Sequence, residues 1–272
     1  MLKFACTPSY QQNWGKAFDS AFPKPQHVPM ASDWKQPPKN LRLAGAEVHV
    51  WLAALEPDST ARSLLSSEEQ ERADRFRFEK DQVQYTAGRA FLRTILGRYL
   101  QISPKDLRFR YNGYGKPYLA DEFASTKLHF NLAHSRGLAL YAVAVDIEVG
   151  VDIEHIRPEF ATTEIAQRFF APEEVEVLLS LDPAIQKSAF FDCWTRKEAF
   201  IKARGMGLSL PLDQFVVAFG PNVDAALLSA KNDAQASKTW TIGNLAPAHE
   251  YAGAFAAPLA NVELRLWRFT PG

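Results

Sequence analysis

The pattern of apolar and polar residues in the first half of the chain predicts one strand followed by two helices. The segment Glu47–Leu55 alternates between the two residue classes, which is the period of a strand with one buried face. A polar stretch rich in glutamate follows, and Ser66 or Ser67 is a suitable N-cap for a first helix. A second helix is predicted from about Asp81 to Leu100. Its apolar positions recur at helical spacing and form one stripe: Ala87, Phe91, Ile95 and Leu96.

The pattern then changes to extended segments and back again. The motif NGYGKP, residues 112–117, predicts a tight turn between two short extended pieces. Beyond it we expect two strands, Lys127–Ala144 and Val149–Ile156, joined by a turn near Asp146–Val149. Three helices are predicted next: Thr162–Phe170, Ala171–Leu181 and Pro183–Arg204. Four strands then close the chain: Gln214–Phe219, Thr239–Ala246, Tyr251–Ala257 and Val262–Phe269.

The order strand, helices, strands therefore occurs twice, which predicts an α+β fold. We expect two similar α+β halves, residues 46–149 and 150–272, packed into a pseudo-two-fold monomer. The active site is expected in the cleft between them. Residues 1–45 contain several prolines among scattered aromatic residues, and they are predicted to form an irregular arm.

Composition narrows the class of protein. The chain is 47% hydrophobic and 23% charged, and its 31 basic residues balance 31 acidic ones, which argues against broad nucleic-acid or membrane binding. Cys6 and Cys193 lie far apart without metal-ligand spacing, which favours a reducing compartment and no structural zinc. The N-terminus lacks an apolar leader, and charged residues interrupt the most apolar stretch. We therefore expect a cytoplasmic protein whose partners include neither nucleic acid nor membrane.

Two acids stand close together on a predicted strand. Asp152 and Glu154 are two residues apart in GVDIE, so both carboxylates point to the same face of the strand. One interpretation is a half-exposed strand with two solvated acids. The other is a bound cation, because like charges side by side are better tolerated when a cation lies between them.

A third acid, Glu198, lies at the edge of the apolar arc of the helix Pro183–Arg204, close to Trp194. Lys202 follows one turn later, so an exposed Glu–Lys pair is one interpretation of the spacing. A carboxylate at a core boundary instead needs a metal, a proton-transfer role or a buried ion pair. Three carboxylates would suit Mg²⁺, with water and phosphate oxygens as the remaining ligands.

Basic residues in both halves are candidates for phosphate binding. For each one alone, a solvated surface cation is the simpler interpretation; together they would surround a polyanionic ligand in the cleft. The set comprises Arg72, Arg75, Arg89, Arg93, Lys116, His134, Lys197 and Lys202. The chain has neither the glycine-rich fingerprint of a dinucleotide fold nor a P-loop, and it lacks the G-x-S-x-G elbow of serine hydrolases.

The motif GVDIE, followed about forty residues later by WTRKEAFIKARGMGLSL, resembles the signature of 4′-phosphopantetheinyl transferases. The upstream segments GKPYL and FNLAHS fall where this family has two further motifs. The resemblance is to the surfactin-synthetase-activating type, a single chain of two similar α+β halves, and it covers roughly residues 47–220.

This resemblance implies transfer of the phosphopantetheine arm of coenzyme A to a serine of an apo acyl carrier protein or peptidyl carrier domain, with release of 3′,5′-ADP. It implies Mg²⁺ held by Asp152, Glu154 and Glu198, with Glu198 also acting as, or positioning, the base. Lys202 would contact the phosphate. The coenzyme A nucleotide would be bound by three further residues, with Arg75 as a weaker fourth: Arg72, Lys116 and His134.

One position departs from the family pattern. Ala133 stands where the family often has serine, so one hydroxyl contact to coenzyme A is expected to be missing. Two alternatives accompany the transferase hypothesis. One is a non-catalytic module that binds coenzyme A or a carrier protein, and the other is a metal-dependent hydrolase of small phosphoanhydrides.

Overall fold

A computed structural model of the chain describes residues 33–271, except Pro57 and Pro158. Residues 1–32 of the predicted arm, with Cys6, lie outside the described residues. The described end of the arm is attached to the body of the molecule. Trp34 is buried, and its indole N–H donates to the Ala246 carbonyl at 3.0 Å, while Lys35 forms an isolated bridge with Trp267.

The described part of the chain contains eleven strands and six α-helices. The strands are β1 (Glu47–Ala54), β2 (Phe109–Tyr111), β3 (Pro117–Leu119), β4 (Leu128–Ser135), β5 (Leu138–Val145), β6 (Gly150–His155), β7 (Phe215–Ala218), β8 (Ala226–Ala230), β9 (Thr241–Leu245), β10 (Tyr251–Ala257) and β11 (Glu263–Arg268). The helices are α1 (Ser67–Asp74), α2 (Glu79–Leu100), α3 (Thr163–Phe169), α4 (Pro172–Ser180), α5 (Pro183–Arg204) and α6 (Ala236–Thr239).

Local capping groups set the ends of the helices, as predicted for two of them. Ser66 caps α1 in a reciprocal capping box: its hydroxyl accepts from the Glu69 N–H at 3.3 Å, and the Glu69 carboxylate accepts from the Ser66 N–H at 3.0 Å. Helix α5 has the predicted bounds. Asp182 caps its first turn, and Gly205 at φ 67° ends it in the left-handed conformation.

One strand prediction is wrong. Lys127–Ala144, predicted as a single strand, is a hairpin of β4 and β5 that turns at Arg136 and Gly137, both with positive φ. Strand β5 is a run of buried apolar residues, whereas β4 already contains polar residues and ends on His134 and Ser135. The polar turn therefore continues the polar end of β4 and does not stand out as a break. The small elements β8 and α6 have no counterpart in the prediction.

The strands form two main sheets, one covered by each long helix. The first sheet has the order β11-β1-β5-β4, and the second has the order β6-β10-β9. The apolar side of α2 packs on the first sheet, and α5 packs on β6 and β10 of the second. Two helix-covered sheets confirm the α+β prediction. The chain's last strand, β11, nevertheless lies in the first sheet, parallel to β1. The predicted division of the chain at residue 150 stays a prediction.

A third apolar cluster lies between the two sheets and draws side chains from both. Val50 and Leu140 come from the first sheet, and Val151 and Phe255 from the second. The alternation of β1 explains this, because Trp51 points toward α2 while Val50 points toward the second sheet. The two sheets are therefore joined by a shared core, and the edge strands β4 and β6 lie next to each other.

Candidate functional site

The site begins where strand β6 crosses helix α5 at close range. A Cβ atom on Gly150 would lie 2.0 Å from the Ala199 carbonyl oxygen and 2.4 Å from the Ala203 nitrogen. Only a residue without a side chain permits this approach. The crossing places the following residues of β6 over the turn of α5 that carries Glu198 and Lys202.

Asp152 and Lys202 meet at this crossing. The Lys202 ammonium donates to Asp152 Oδ1 at 2.5 Å. Burial acts to lower the pKa of Lys202, but the charges of Asp152 and Glu198 outweigh it and raise that pKa. Asp152 is only 4% exposed, and its second oxygen, Oδ2, is buried without a hydrogen-bond partner. A buried carboxylate oxygen in this state favours an additional cationic or hydrogen-bonding partner.

Glu154 and Glu198 share the same electrostatic environment. Desolvation raises the pKa of each carboxyl group above its usual value, and the negative charge of Asp152 raises it further. The three acids predicted to act together are therefore close enough to repel one another. No three His, Cys, Asp or Glu side chains in the described part of the chain stand in ready ligating geometry. The three carboxylates are close enough to affect one another's pKa values, but their oxygens are not arranged as a complete set of metal ligands.

These residues fit a hard divalent cation. The donor set consists of carboxylate oxygens, which suits Mg²⁺ rather than zinc. A bound cation would give the unpaired Asp152 Oδ2 a partner and would lower the raised pKa values of both glutamates.

A cavity of about 440 Å³, lined by both halves of the chain, opens beside Lys202, the partner of Asp152; the three acids themselves are not among its lining residues. Four residues predicted to bind a phosphorylated ligand line it together: Arg72, Lys116, His134 and Lys202. Aromatic residues that the sequence analysis did not single out form much of the rest of the wall: Phe76, Tyr85, Tyr111 and Tyr114. Tyr111 precedes the predicted NGYGKP turn and Tyr114 lies within it, and this turn was the available signal for them.

Lys116 reaches the cavity from the β2–β3 hairpin. The Asn112 side-chain oxygen accepts the backbone N–H groups of Tyr114 and Lys116, each at 2.9 Å, and its amide donates to the Gly205 carbonyl at 3.0 Å. The Lys116 ammonium donates to Glu148 at 2.7 Å. Burial favours a higher pKa for Glu148, but its hydrogen bond with His129 and the Lys116 charge lower that pKa to about 2. The bond from Asn112 to the Gly205 carbonyl attaches this hairpin to the end of α5.

Two further cavity residues, Tyr85 and His134, provide a hydroxyl without a hydrogen-bond partner and an uncharged imidazole. The Tyr85 hydroxyl is buried without a hydrogen-bond partner, and the Arg72 guanidinium lies 5.5 Å from the centre of its ring. Desolvation, followed by the Lys202 charge, lowers the pKa of His134, so its imidazole is neutral at pH 7.

Several basic residues that were candidates for phosphate binding do not reach the cavity in the structure, and the first of these is Lys197. Lys197 is fully buried: its ammonium pairs with Glu174 at 2.8 Å and donates to the Leu212 and Phe215 carbonyls. It is neither a solvated cation nor a phosphate ligand, because its three donors are satisfied by the protein.

Arg89, Arg93 and Arg75 also depart from expectation. Arg89 and Arg93 are buried and donate through Nε to the two oxygens of Glu69, at 2.7 and 2.6 Å, although Arg89 still borders the cavity. Arg75 has a side chain that is 77% exposed and pairs with Glu71 at 3.8 Å. The structure therefore does not bring Arg75 to the cavity.

Ala133 lies in the shared core rather than on the cavity wall. It is buried and belongs to the same apolar cluster as Val151 and Ile153. His134, the next residue along β4, points to the opposite side and lines the cavity, as the alternation of a strand requires.

Among the described helices, none is both long and apolar enough to cross a membrane.

Two family models match the chain. One, described as the 4′-phosphopantetheinyl transferase superfamily, matches residues 148–256, and the other, described as the N-terminal part of 4′-phosphopantetheinyl transferase, matches residues 50–145.

Two relatives show the extent of the likeness. The chain is 38% identical to the 4′-phosphopantetheinyl transferase HetI of Nostoc sp. over 240 residues, which cover 87% of this chain and 98% of the relative. It is 37% identical to the 4′-phosphopantetheinyl transferase Sfp of Bacillus subtilis over 155 residues, 57% of this chain and 66% of that relative.

Proposed function

The chain belongs to the 4′-phosphopantetheinyl transferase superfamily, and we propose that it moves the phosphopantetheine arm of coenzyme A to a serine of an apo carrier protein in a Mg²⁺-dependent reaction. The carrier is an acyl carrier protein or a peptidyl carrier domain. The second product is 3′,5′-ADP.

One observation carries the proposal: three mutually repelling carboxylates act on Lys202, and Lys202 lines a cavity together with other basic side chains. A pyrophosphate ligand needs cationic groups along its length, and a displacement at phosphorus needs neutralised oxygens and an ordered nucleophile. The cationic groups come from several elements of the fold: Arg72 from α1, Lys116 from the β2–β3 hairpin and Lys202 from α5.

Asp152, Glu154 and Glu198 would hold the Mg²⁺. When bound, the ion neutralises charge on the pyrophosphate oxygens. Lys202 already donates one N–H to Asp152, and its remaining donors are available to a phosphate oxygen next to it. The Asp152 contact fixes the ammonium in place before the substrate arrives, which reduces the cost of ordering it.

The cavity residues would bind the nucleotide portion. Arg72 lines the cavity from α1 and Lys116 from the β2–β3 hairpin, and neutral His134 can donate one hydrogen bond without adding charge. The aromatic walls offer flat apolar surfaces for a base. Ala133 lies in the shared core and not on the cavity wall, so the absence of a hydroxyl at this position leaves these groups in place.

The transfer step follows from this placement. The carrier serine oxygen forms a bond to the phosphorus that bears the pantetheine arm, and the bond from that phosphorus to the bridging oxygen breaks. The bridging oxygen leaves with 3′,5′-ADP. Glu198 accepts the serine proton or positions the base that accepts it, because an unassisted hydroxyl is a poor nucleophile.

The site is complete within one chain, which supports a monomer. Arg72 and His134 come from the first half, and Lys202 and Gly205 from the second, yet all line the same cavity. A cytoplasmic location, where coenzyme A and carrier proteins meet, is part of the same proposal.

Intact-protein mass spectrometry tests the proposal. With Mg²⁺ and coenzyme A, the purified protein is expected to add about 340 Da to an apo-carrier, the mass of the transferred arm. Adduct formation should cease when the divalent ion is chelated. A non-catalytic binding module would leave every carrier in a panel of fatty-acid, polyketide and peptide-synthetase types unmodified, and that outcome would refute the transferase proposal.

Glu198→Gln isolates the acid on α5. The amide keeps the shape of the side chain but removes a negative charge and the proton-accepting oxygen, so we expect transfer to fall below detection. The thermal midpoint should stay at or above that of the parent protein, because a repelling carboxylate is removed. Substantial remaining activity would exclude Glu198 from both the metal-binding and the proton-accepting role.

A further inference from the structure

Strands β4 and β6 are the facing edges of two different sheets, and side chains connect them. No backbone ladder pairs them in the described topology. Instead, the Asn131 side-chain oxygen accepts the Val151 N–H at 2.9 Å, and the Ser135 hydroxyl accepts the His155 N–H at 3.1 Å. The two acceptors are four residues apart on β4, and the two donors are four residues apart on β6. The side chains thus take the place of backbone carbonyls along this junction.

Ser135 makes a second contact that Asn131 does not. Its hydroxyl donates to Glu154 Oε2 at 3.0 Å. The direction of this bond is set by the carboxylate, which when ionised can only accept, while the hydroxyl oxygen itself accepts the His155 N–H. The same Glu154 oxygen lies 3.9 Å from the Arg157 guanidinium. Both contacts therefore involve Oε2, and Oε1 stays available.

A similar division holds for the neighbouring acid. One oxygen of Asp152 accepts from Lys202, and the other is buried without a partner. In both acids of β6, one carboxylate oxygen is bonded to a protein side chain and the other oxygen has no partner among the described residues. A carboxylate that binds a metal through a single oxygen requires this arrangement.

We infer that Ser135 is a positioning residue for Glu154, fixing one carboxylate oxygen from across the junction of the two sheets so that the other faces the cation. The inference rests on the proposed role of Glu154 as a metal ligand. It adds a residue that touches neither the cation nor the substrate, and it gives the junction between the sheets a part in shaping the site.

Mn²⁺ binding, followed by the electron paramagnetic resonance signal of free Mn²⁺ in the presence of saturating coenzyme A, tests the inference without relying on turnover. Ser135→Ala is expected to weaken Mn²⁺ binding about tenfold, the usual effect of removing a residue that orients a ligand. Ser135→Thr keeps the hydroxyl and should bind Mn²⁺ like the parent protein. In steady-state assays, Ser135→Ala should raise the KM for Mg²⁺ with little change in kcat at saturating Mg²⁺.

Asn131→Ala is the matched control, because it removes the other cross-junction bond without touching a carboxylate. It should lower the thermal midpoint while Mn²⁺ affinity stays close to that of the parent protein. An equal loss of Mn²⁺ affinity in Asn131→Ala and Ser135→Ala would overturn the inference, because loosening of the junction would then explain both.

Glu154→Gln separates this inference from the proposed function. If Glu154→Gln binds Mn²⁺ as well as the parent protein does, Glu154 is not a ligand and the inference falls with that role. If Glu154→Gln loses affinity while Ser135→Ala retains it, the ligand role stands and the inference alone is refuted.

Discussion

Arg72 and Arg75 are three residues apart, yet the fold gives them different surroundings. Arg72 lines the cavity and lies over the Tyr85 ring, whereas Arg75 extends into solvent beside Glu71. Arg72→Ala is therefore expected to raise the KM for coenzyme A by roughly 10- to 100-fold, the value of a charge-assisted hydrogen bond. Arg75→Ala should leave the KM unchanged. Steady-state kinetics with varied coenzyme A would measure both, and equal effects would contradict the assignment of the cavity.

The sequence predicts the acids of the site better than its cations. Asp152 and Glu154 share a strand face and Glu198 stands one helical turn from Lys202, so local spacing marked each of them as a candidate, while the family resemblance joined the three into one metal site. Lys197 belongs to the same motif but is buried against Glu174, a residue of another helix. Glu174 also accepts the Ala171 and Val217 N–H groups, so one carboxylate serves three segments. Local spacing contains no information about such a long-range partner.

At the scale of elements, the crossing of β6 and α5 depends on one missing side chain. Gly150→Ala would place a methyl group within 2.4 Å of two backbone atoms of α5, so the strand and helix must separate. Because the acids of β6 and the helix residues Glu198 and Lys202 then move apart, we expect loss of transfer together with a lower thermal midpoint. The measurements are intact-protein mass spectrometry and thermal unfolding.

Gly45→Ala is the control for this substitution, since a Cβ atom at Gly45 meets nothing within 4 Å. It should leave transfer intact and be neutral or slightly stabilising, because alanine restricts the unfolded chain. A Gly150→Ala protein that retains normal transfer would show that the close crossing is not needed to assemble the site.

Elements were predictable where their ends carry their own signals. Helix α5 is bounded by Asp182 and Gly205, whose capping preferences are visible in the sequence. The β4–β5 hairpin was predicted as a single strand because its turn is short and follows the polar end of β4, so no separate polar break marks it. A turn that needs only one glycine and one arginine with positive φ leaves little trace in a hydrophobicity pattern.

At the scale of the whole molecule, the two halves share more than a cleft. The chain returns after its second sheet to place β11 beside β1, pairing Glu47 with Glu263 across more than two hundred residues. The core between the sheets contains side chains from both. Repetition of the order strand, helices, strands predicted the α+β halves. It could not predict this return, because strand partners distant in sequence are chosen by the packed core and not by local pattern.

His49 lies where the first and last strands meet, and it makes stability depend on pH. It is buried on β1 opposite Arg265, with its Nδ1 2.7 Å from the Tyr99 hydroxyl and its Nε2 3.6 Å from Glu47. Desolvation lowers the pKa of His49 from 6.5 to about 4; Glu47 opposes this shift and Arg265 adds to it. The folded protein therefore holds a neutral imidazole at pH 7.

The sign of the effect follows from proton binding. Between pH 6.5 and 4 the unfolded chain binds more protons at this residue than the folded chain does, so stability is complete above pH 6.5 and is lost as the pH falls toward 4. This residue should lower the free energy of unfolding by about 2 kcal/mol between pH 7.5 and pH 5. Glu154, Glu198 and Glu174 have raised pKa values and act in the opposite direction. The contribution of His49 must therefore be measured as a difference.

Urea unfolding of the parent protein and of His49→Asn at both pH values provides that difference. The asparagine amide offers both a donor and an acceptor to the Tyr99 hydroxyl in place of Nδ1, but it does not titrate, so the variant should lose about 2 kcal/mol less than the parent protein on acidification. The comparison concerns the change with pH and not the absolute stability, which the smaller side chain also lowers. Parallel pH profiles would mean that the pKa of His49 is the same in the folded and the unfolded chain. The junction of β1 and β11 would then not be sensitive to acid.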